Sequence, residues 1–355
     1  MTASRSHRAA RALAAAVLGL TATAALGIAG CRRAAPPRRP PAPPWHGVAL
    51  GLFGEDPDWS YDGLLSEIAA LGATHLLLVI PYYQRGATAT VIGPHPRFSP
   101  PDRTVRRTLR QAQARGLKVM LFPIVRLEDA GPQGADWRGN LRPADRGAWF
   151  AAYGRWLGDL ADLAQREGAF GLCVGSELST LDVERAPWER LIRDVRGRFR
   201  GVLTYSGNWD HYEEVAFWDL TDVVGVTGYF ELKPNGGATH VGALTQAWRE
   251  HRRRLEAWQA RVGRPLVITE LGYLSQRGAH AWPWKEGATE PVDVDDQRRC
   301  FEAFVAAWDG SPALGGVFVW NWYGWGGPRS RGYTPRHKPA ALVIERWFKG
   351  LTAAR

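Results

Sequence analysis

The sequence predicts an α/β fold, a single (β/α)8 barrel of the TIM type, and three observations support this prediction. After a basic, proline-rich front end, about 300 residues remain, which suits one barrel. Short apolar runs alternate with stretches in which apolar residues recur every three to four positions. The connections that follow the apolar runs are long, whereas those that precede them are short. A doubly wound parallel sheet is the alternative fold.

The first 30 residues predict an export signal. Three arginines precede an apolar run over residues 12–29, as in a secretory signal peptide. The run ends in Ala29-Gly30-Cys31, which resembles a bacterial lipobox, and Cys31 would then be the lipidated first residue of the mature protein. A transmembrane anchor is the alternative for this run. We therefore expect an exported bacterial lipoprotein, anchored in the outer membrane or at the cell surface.

Residues 31–45 predict an extended tether in front of the barrel at 46–355, because they consist mainly of proline, arginine and alanine. The formal net charge is +10, but seven arginines lie at or before residue 39, and no acidic residue precedes Glu55. The barrel itself is therefore only mildly basic, which gives little support to nucleic-acid binding. We expect a monomer that contacts the membrane through its lipid anchor.

Eight strands are predicted in chain order. Most are continuous apolar runs, as expected for parallel strands that are covered on both faces. They lie at residues 48–53, 75–80, 118–124, 170–175, 202–206, 223–228, 265–270 and 316–320.

Helices are predicted between these strands, at residues 61–71, 104–115, 146–167, 187–199, 241–261, 294–308 and 339–348. Between the fifth and sixth strands the link is short, and we expect only a helical turn around residues 213–218. Gly72, Gly116 and Gly168 follow the first three helices and predict C-caps with positive φ.

Two predicted strands end in a glutamate followed by leucine: the fourth in Gly175-Ser176-Glu177-Leu178 and the seventh in Ile268-Thr269-Glu270-Leu271. The C-terminal ends of barrel strands meet at one mouth, where such barrels keep their chemistry. Two carboxylates at one mouth are the minimum for cleaving a glycosidic bond. Structural ion pairing is the alternative role for these glutamates, and other strand-end candidates are Glu55, Glu128 and Glu231.

The placement on strands four and seven resembles the large clan of barrel glycosidases with catalytic glutamates at those two positions. The resemblance implies that Glu270 is the nucleophile and Glu177 the acid/base of a retaining mechanism, with carboxyl groups about 5–5.5 Å apart. Glu270 must then stay ionised while Glu177 holds a proton, so their environments must differ. Tyr229, just past the sixth strand, is placed to donate a hydrogen bond to Glu270.

The aromatic residues also favour a sugar-binding cleft. Seventeen tryptophans is a high count for this length, and an indole ring offers an apolar platform to the flat C–H face of a sugar. Trp320, at the end of the eighth strand, is expected to form the floor under the cleaved sugar. Asn208 is expected to bond sugar hydroxyls or to form a turn. The remaining candidates are Trp209, Trp282, Trp284, Trp322, Trp325, Tyr82, Tyr83, Tyr273 and Asn321.

At family level the chain resembles glycoside hydrolase family 113, whose characterised activity is β-1,4-mannan hydrolysis. The resemblance rests on the two glutamate segments, on Gly272-Tyr273 and on the segment 317–321, Val-Phe-Val-Trp-Asn. It implies a polysaccharide or oligosaccharide substrate and a double-displacement mechanism without a metal or organic cofactor. In the wider clan an asparagine usually precedes the acid/base and contacts the sugar 2-hydroxyl, whereas Ser176 stands there in this chain.

A carbohydrate-binding lipoprotein without catalysis is the alternative function, because a fold does not determine an activity. Closely spaced carboxyl groups in an open aromatic cleft would favour the enzyme. A filled mouth, or a Glu177 bound to an arginine, would favour the binder. A Schiff-base lyase or aldolase is disfavoured because no predicted strand ends in a lysine. Cys173 and Cys300 are expected to be free, buried thiols.

Overall fold

The chain forms a closed barrel of eight parallel strands, seen in a computed structural model that describes residues 44–286 and 290–351. The sheet closes because the first strand pairs with both the second and the eighth. This confirms the α/β barrel and excludes the doubly wound sheet. The strands are β1 (Trp45–Gly51), β2 (His75–Gln84), β3 (Lys118–Leu127), β4 (Gly171–Ser176), β5 (Val202–Gly207), β6 (Val224–Thr227), β7 (Leu266–Leu271) and β8 (Leu314–Val319).

The helices pack around the barrel and follow the predicted order, with ends within two residues of those predicted. They are α1 (Asp62–Ala70), α2 (Asp102–Gln113), α3 (Arg146–Arg166), α4 (Arg185–Arg198), α5 (Val241–Val262), α6 (Val294–Trp308) and α7 (Pro339–Phe348). Between β5 and β6 lie two 3-10 turns, Tyr212–Glu214 and Trp218–Leu220, in place of the predicted helical turn. Gly72, Gly116 and Gly168 have positive φ, which confirms their predicted role just past α1, α2 and α3.

Two apolar layers stabilise the barrel. Alternate strand residues such as Leu77, Phe122 and Phe318 form one buried cluster that fills the interior. The second layer lies between the strands and the helices. Cys173 and Cys300 are free and buried, as predicted. The helical tryptophans are also buried: Trp149, Trp156, Trp188, Trp248, Trp258, Trp308 and Trp347.

The two strands that carry the glutamates are irregular at their C-terminal ends. The pairing of β4 with β5 shifts register between Cys173 and Ser176. The pairing of β7 with β8 shifts between Ile268 and Leu271. An extra residue in a strand breaks the alternation of side chains and redirects those that follow.

The predicted signal peptide, the lipidation site Cys31 and the tether up to residue 43 lie outside the described residues. Because β1 begins at Trp45, the predicted tether extends one residue too far. Within the part of the chain that the structure describes, every helix is too short or too polar to cross a membrane.

Candidate active site

Glu177 and Glu270 lie together at the C-terminal mouth of the barrel, as the sequence predicts. The hydroxyl of Ser176 donates a hydrogen bond to Oε1 of Glu270 at 3.2 Å, although these two residues are 94 positions apart in the chain. Glu177 is 4% exposed and Glu270 only 1%. The barrel therefore brings two buried carboxyl groups into one site.

The strand irregularities direct these side chains into the site. In β4, both Val174 and Gly175 face the outer layer, so that Ser176 turns inward. In β7, Thr269 points into the barrel, where its hydroxyl lies 2.6 Å from that of Ser206, and the next residue, Glu270, also points inward. If side chains alternated strictly along β7, Glu270 would face the helices, because Thr269 already points into the barrel. In β4, strict alternation after Val174 would likewise turn Ser176 toward the helices.

The backbone at Glu177 is in the left-handed region, with φ of 52°. This conformation is uncommon for a residue other than glycine and is found often at functional sites. Its N–H donates to the carbonyl of Ser206 at 2.8 Å. The next N–H, that of Leu178, donates to the hydroxyl of Tyr205 at 2.8 Å. These two bonds hold the peptide groups on both sides of the Glu177 α-carbon.

Tyr229 donates from its hydroxyl to Oε2 of Glu270 at 3.0 Å, which is the contact expected from the sequence. Glu270 thus accepts two hydrogen bonds, from Tyr229 and from Ser176. Burial and repulsion by Glu177 nevertheless raise the pKa of the Glu270 carboxyl, against the opposing effects of Arg138 and of these two donors.

Arg138 is a site residue that the sequence did not reveal. Its Nη2 donates to Oε2 of Glu177 at 2.5 Å. It lies in the 3-10 turn Arg138–Asn140 of the loop after β3, and the N–H of Thr180 fastens this turn by donating to the carbonyl of Gly139. With 45 basic residues in the chain, the sequence offers no signal that distinguishes this arginine from the others.

The charges around the two glutamates differ from the expected arrangement. Burial lowers the pKa of the Arg138 guanidinium, but the charges of Glu177 and Glu270 outweigh burial and raise it. Arg138 binds Glu177 directly, whereas the enclosed Glu270 has only neutral donors. The raised pKa of Glu270 therefore opposes the ionised state that a nucleophile in this position requires.

Trp320 is buried in the interior cluster together with Tyr229 and Tyr333. The rings of Tyr229 and Tyr333 are 5.8 Å apart, and the Tyr333 hydroxyl donates to the carbonyl of Pro283 at 2.7 Å. Tyr333 comes from the long segment after β8 and was not predicted as a site residue. The peptide bond between Trp320 and Asn321 is cis.

Asn208 has the turn-forming role that the sequence left open. Its Nδ2 donates to Asp210 at 2.9 Å, and its Oδ1 accepts from the backbone N–H of Trp209 at 3.0 Å. Trp209 is half-buried. Trp282 is 47% exposed, and lysine ammonium groups lie 5.5 and 5.9 Å from its ring centroid. Trp282 therefore presents a free aromatic surface to solvent.

The structure contradicts three predicted sugar-binding residues, because their side chains face the helices. Tyr82 stacks on Trp156 of α3 with centroids 4.1 Å apart. Tyr273 is fully buried, and its hydroxyl accepts from the indole N–H of Trp248 on α5 at 2.7 Å. Trp322 is also buried, and its indole N–H donates to a glutamate of α1 at 2.8 Å. All three pack in the outer layer.

The alternative carboxylates have other surroundings. Glu55 pairs with Arg97 at 2.7 Å, and Glu231 pairs with Lys233 at 2.5 Å. Glu128 is exposed to solvent. Glu177 and Glu270 therefore remain the pair on which the chemistry can rest.

Comparison with known proteins identifies the family of the chain. The sequence profile of Glycoside Hydrolase Family 113 matches residues 55–328. A similar solved structure is the GH113 β-mannanase AaManA from Alicyclobacillus acidocaldarius in complex with ManMIm. It is 26% identical with a TM-score of 0.77, over 86% of this chain and 97% of that one. No curated protein matches the chain significantly.

Two further structures share the fold. A GH113 β-1,4-mannanase, solved as a complex, is 20% identical with a TM-score of 0.76 and covers 86% of this chain and 98% of its own. A GH5_18 protein from Streptomyces cattleya in complex with GlcNAc is 16% identical with a TM-score of 0.55, over 84% of this chain and 77% of its own. Because the family profile spans most of the barrel, this chain belongs to glycoside hydrolase family 113.

Proposed function

We propose that this glycoside hydrolase is a retaining β-glycosidase that cleaves β-1,4-linked mannan-type polysaccharides or oligosaccharides by double displacement. The observation that carries the proposal is the location of two buried glutamates, Glu177 and Glu270, at the C-terminal ends of β4 and β7. Membership of family 113, and the likeness to two β-mannanases, support the choice of substrate.

In this mechanism Glu270 attacks the anomeric carbon and Glu177 protonates the departing oxygen. Glu177 then removes a proton from the water that releases the sugar from Glu270. Tyr229 and Ser176, which donate to different oxygens of Glu270, hold its carboxylate in one orientation. Ser176 thus contacts the nucleophile, whereas an asparagine in its place would contact the sugar 2-hydroxyl in the wider clan.

The proposed chemistry requires one proton shared among the charged groups of the site. With both glutamates ionised, the group formed by Arg138, Glu177 and Glu270 carries one net negative charge, and one proton neutralises it. Burial and repulsion by Glu177 raise the pKa of Glu270, whereas Arg138 donates to Glu177. A glycosidic oxygen that enters beside Glu177 must therefore displace Arg138 and draw the proton to Glu177. We include this rearrangement in the proposed catalytic cycle.

Aromatic residues supply the proposed sugar platform. Trp320 forms the floor beside the carboxyl groups, since it packs with Tyr229 in the interior cluster. Trp282 offers an exposed ring farther out, and Trp209 is half-buried near the end of β5. Indole rings of this kind stack on the apolar faces of sugars.

One observation favours the alternative of a carbohydrate-binding protein without turnover. Arg138 donates a hydrogen bond to Glu177 at 2.5 Å and so occupies the proposed acid/base. If this contact persisted with sugar bound, Glu177 would be kept from the glycosidic oxygen and the protein would bind mannan without cleaving it.

The two functions are separated by the variant Glu270→Ala. We expect turnover of mannan oligosaccharides to fall by about 10⁴-fold or more, because no nucleophile remains. Added azide should restore part of the activity and release a product of inverted configuration. Glu231→Ala, which removes a carboxylate paired with Lys233, is the matched control and should stay active.

The substrate class is tested by the product profile of the wild-type protein on mannan, glucomannan, xylan and β-glucan oligomers. Cleavage of mannan-type chains with retention of configuration would support the proposal. Binding of mannan without products would favour the binding protein, and full activity in Glu270→Ala would reject the assigned nucleophile.

A further inference from the structure

A buried chain of hydrogen bonds reaches the peptide that follows Glu177 from the outer apolar layer. The backbone N–H of Leu178 donates to the hydroxyl of Tyr205 at 2.8 Å. That hydroxyl in turn donates to Oδ2 of Asp182 at 2.9 Å. Both side chains are fully buried, so solvent does not compete for these bonds.

Asp182 lies between the hydroxyl of Tyr205 and the partly exposed His211, and its backbone is bonded to that of Leu178. Its Oδ1 lies 3.2 Å from Nε2 of His211, whose side chain is 21% exposed. Its own N–H donates to the carbonyl of Leu178 at 2.9 Å, and its carbonyl accepts from the N–H of Ala216 at 3.0 Å. Asp182 therefore has a fixed position relative to the peptide that follows Glu177.

The backbone conformation of Glu177 depends on this chain of hydrogen bonds. A non-glycine residue with φ of 52° is strained and persists only where its surroundings hold it. The preceding peptide is held by the carbonyl of Ser206, and Tyr205 holds the following one. A phenol that donates to a carboxylate is also a stronger acceptor for the Leu178 N–H, since hydrogen bonds in a chain polarise one another.

We propose that Tyr205 and Asp182, with His211 behind them, are positioning residues for Glu177. They fix the peptide between Glu177 and Leu178 and thereby aim the Glu177 carboxyl at the glycosidic oxygen. The inference rests on the proposed role of Glu177 as acid/base. None of the three residues is required to touch the sugar.

The test is Tyr205→Phe, which removes the hydroxyl and keeps the ring. For a mannan oligosaccharide, whose leaving group needs protonation, kcat/KM should fall on the order of 10- to 100-fold. For a dinitrophenyl mannoside, whose leaving group needs little protonation, kcat/KM should change much less. In a Glu177→Ala background, Tyr205→Phe should add no further loss on the oligosaccharide.

Two aspartate variants test the second bond. Asp182→Asn keeps an acceptor for the Tyr205 hydroxyl and should retain more activity on oligosaccharides than Asp182→Ala, with the same dependence on leaving group. If Tyr205→Phe does not fold, kcat/KM on the oligosaccharide and on the dinitrophenyl mannoside is compared for Asp182→Asn and wild type instead.

Tyr61→Phe is the matched control. The hydroxyl of Tyr61 is also buried and also accepts a backbone N–H, that of Gly54 at 3.0 Å, but between β1 and α1. Its loss should leave the dependence on leaving group unchanged. Equal losses on both substrates, or a further loss in the Glu177→Ala background, would overturn the positioning role. A wild-type protein without turnover would overturn the proposed function and this inference together.

Discussion

At the scale of single residues, Glu177 and Glu270 differ in their nearest neighbours. Glu177 receives a charged donor, Arg138, and Glu270 receives two neutral ones. Both glutamates end an apolar strand and precede a leucine, so the local sequence hardly distinguishes them. The unequal environments that a two-carboxylate mechanism requires thus come from other parts of the chain.

Removal of Arg138 should move the pH profile of activity. Because Arg138 opposes the raised pKa of Glu270, Arg138→Gln should raise this pKa further. A higher pH is then needed to ionise the nucleophile, so the acid limb of kcat/KM against pH should shift upward. The measurement is the pH profile of wild type and variant on one oligosaccharide.

Arg97→Gln is the control for this experiment, since Arg97 pairs with Glu55 at the surface. Its acid limb should coincide with that of wild type. An acid limb that stays in place or moves to lower pH in Arg138→Gln would contradict the charge arrangement described for the site.

At the scale of elements, the ends of β4 and β7 decide which side chains enter the pocket. Cys173 and Ser176 both face the barrel interior, although residues three positions apart in a regular strand face opposite sides. The register shift in β4 makes this possible. This arrangement leaves Gly175 against the outer layer. A Cβ atom there would lie 3.0 Å from the Tyr153 hydroxyl and 3.0 Å from the Tyr205 ring. Glycine is therefore required by packing at the strand end that carries the proposed acid/base.

The variant Gly175→Ala should destabilise the fold by about 1–3 kcal/mol, because an added methyl overpacks the layer around Trp188 and the two tyrosines. Urea unfolding of wild type and variant measures the change. Gly63→Ala in α1 is the control: its added methyl meets nothing within 4 Å, and alanine favours a helix. A Gly175→Ala protein as stable as the Gly63→Ala variant would show that the strand end has room to relax.

At the scale of the whole molecule, the first and the last segments of the barrel are bonded to each other. Pairing of β1 with β8 closes the sheet. Outside it, Glu67 of α1 accepts two hydrogen bonds of 2.6 Å from Arg336, 269 residues farther along the chain. The indole of Trp322 donates to the same carboxylate at 2.8 Å. The predicted sugar-binding tryptophan is thus part of the contact that joins the first helix to the last loop.

This contact should make stability depend on pH. Hydrogen bonds from Arg336 lower the pKa of Glu67 below its unfolded value. The stabilisation is therefore present above that value, about 4.3, and is lost as the pH falls through the lower folded value. Glu67→Gln should have a lower Tm than wild type near neutral pH, and the difference should shrink below about pH 4.

Glu213→Gln, which removes an exposed partner of Arg261, is the control and should change Tm little at either pH. A Glu67→Gln difference that stays constant between neutral and acidic pH would show that the charge of Glu67 contributes nothing to barrel closure.

Membrane attachment also belongs to the whole molecule, and we propose that Cys31 carries the lipid anchor. A lipidated protein enters the detergent phase when a cloud-point detergent separates, because its acyl chains are apolar. We expect this of the wild type expressed in a bacterial host, whereas Cys31→Ser should remain in the aqueous phase or keep its signal peptide. The anchor would be rejected if wild type and Cys31→Ser divided equally between the detergent and aqueous phases and both kept the mass of the full chain.

The sequence by itself determined the barrel, its element order and the strand ends that carry Glu177 and Glu270, because these depend on local periodicity and on glycine C-caps. The contact of Tyr229 with Glu270 was also expected from the sequence, but other contacts of the site were decided only by the tertiary structure. Arg138 reaches Glu177 from another loop, and Tyr82 and Tyr273 turn toward the helices. The physical reason is that contacts between distant loops, and the shifts in strand pairing at β4 and β7, depend on how the whole barrel packs and not on the neighbouring residues.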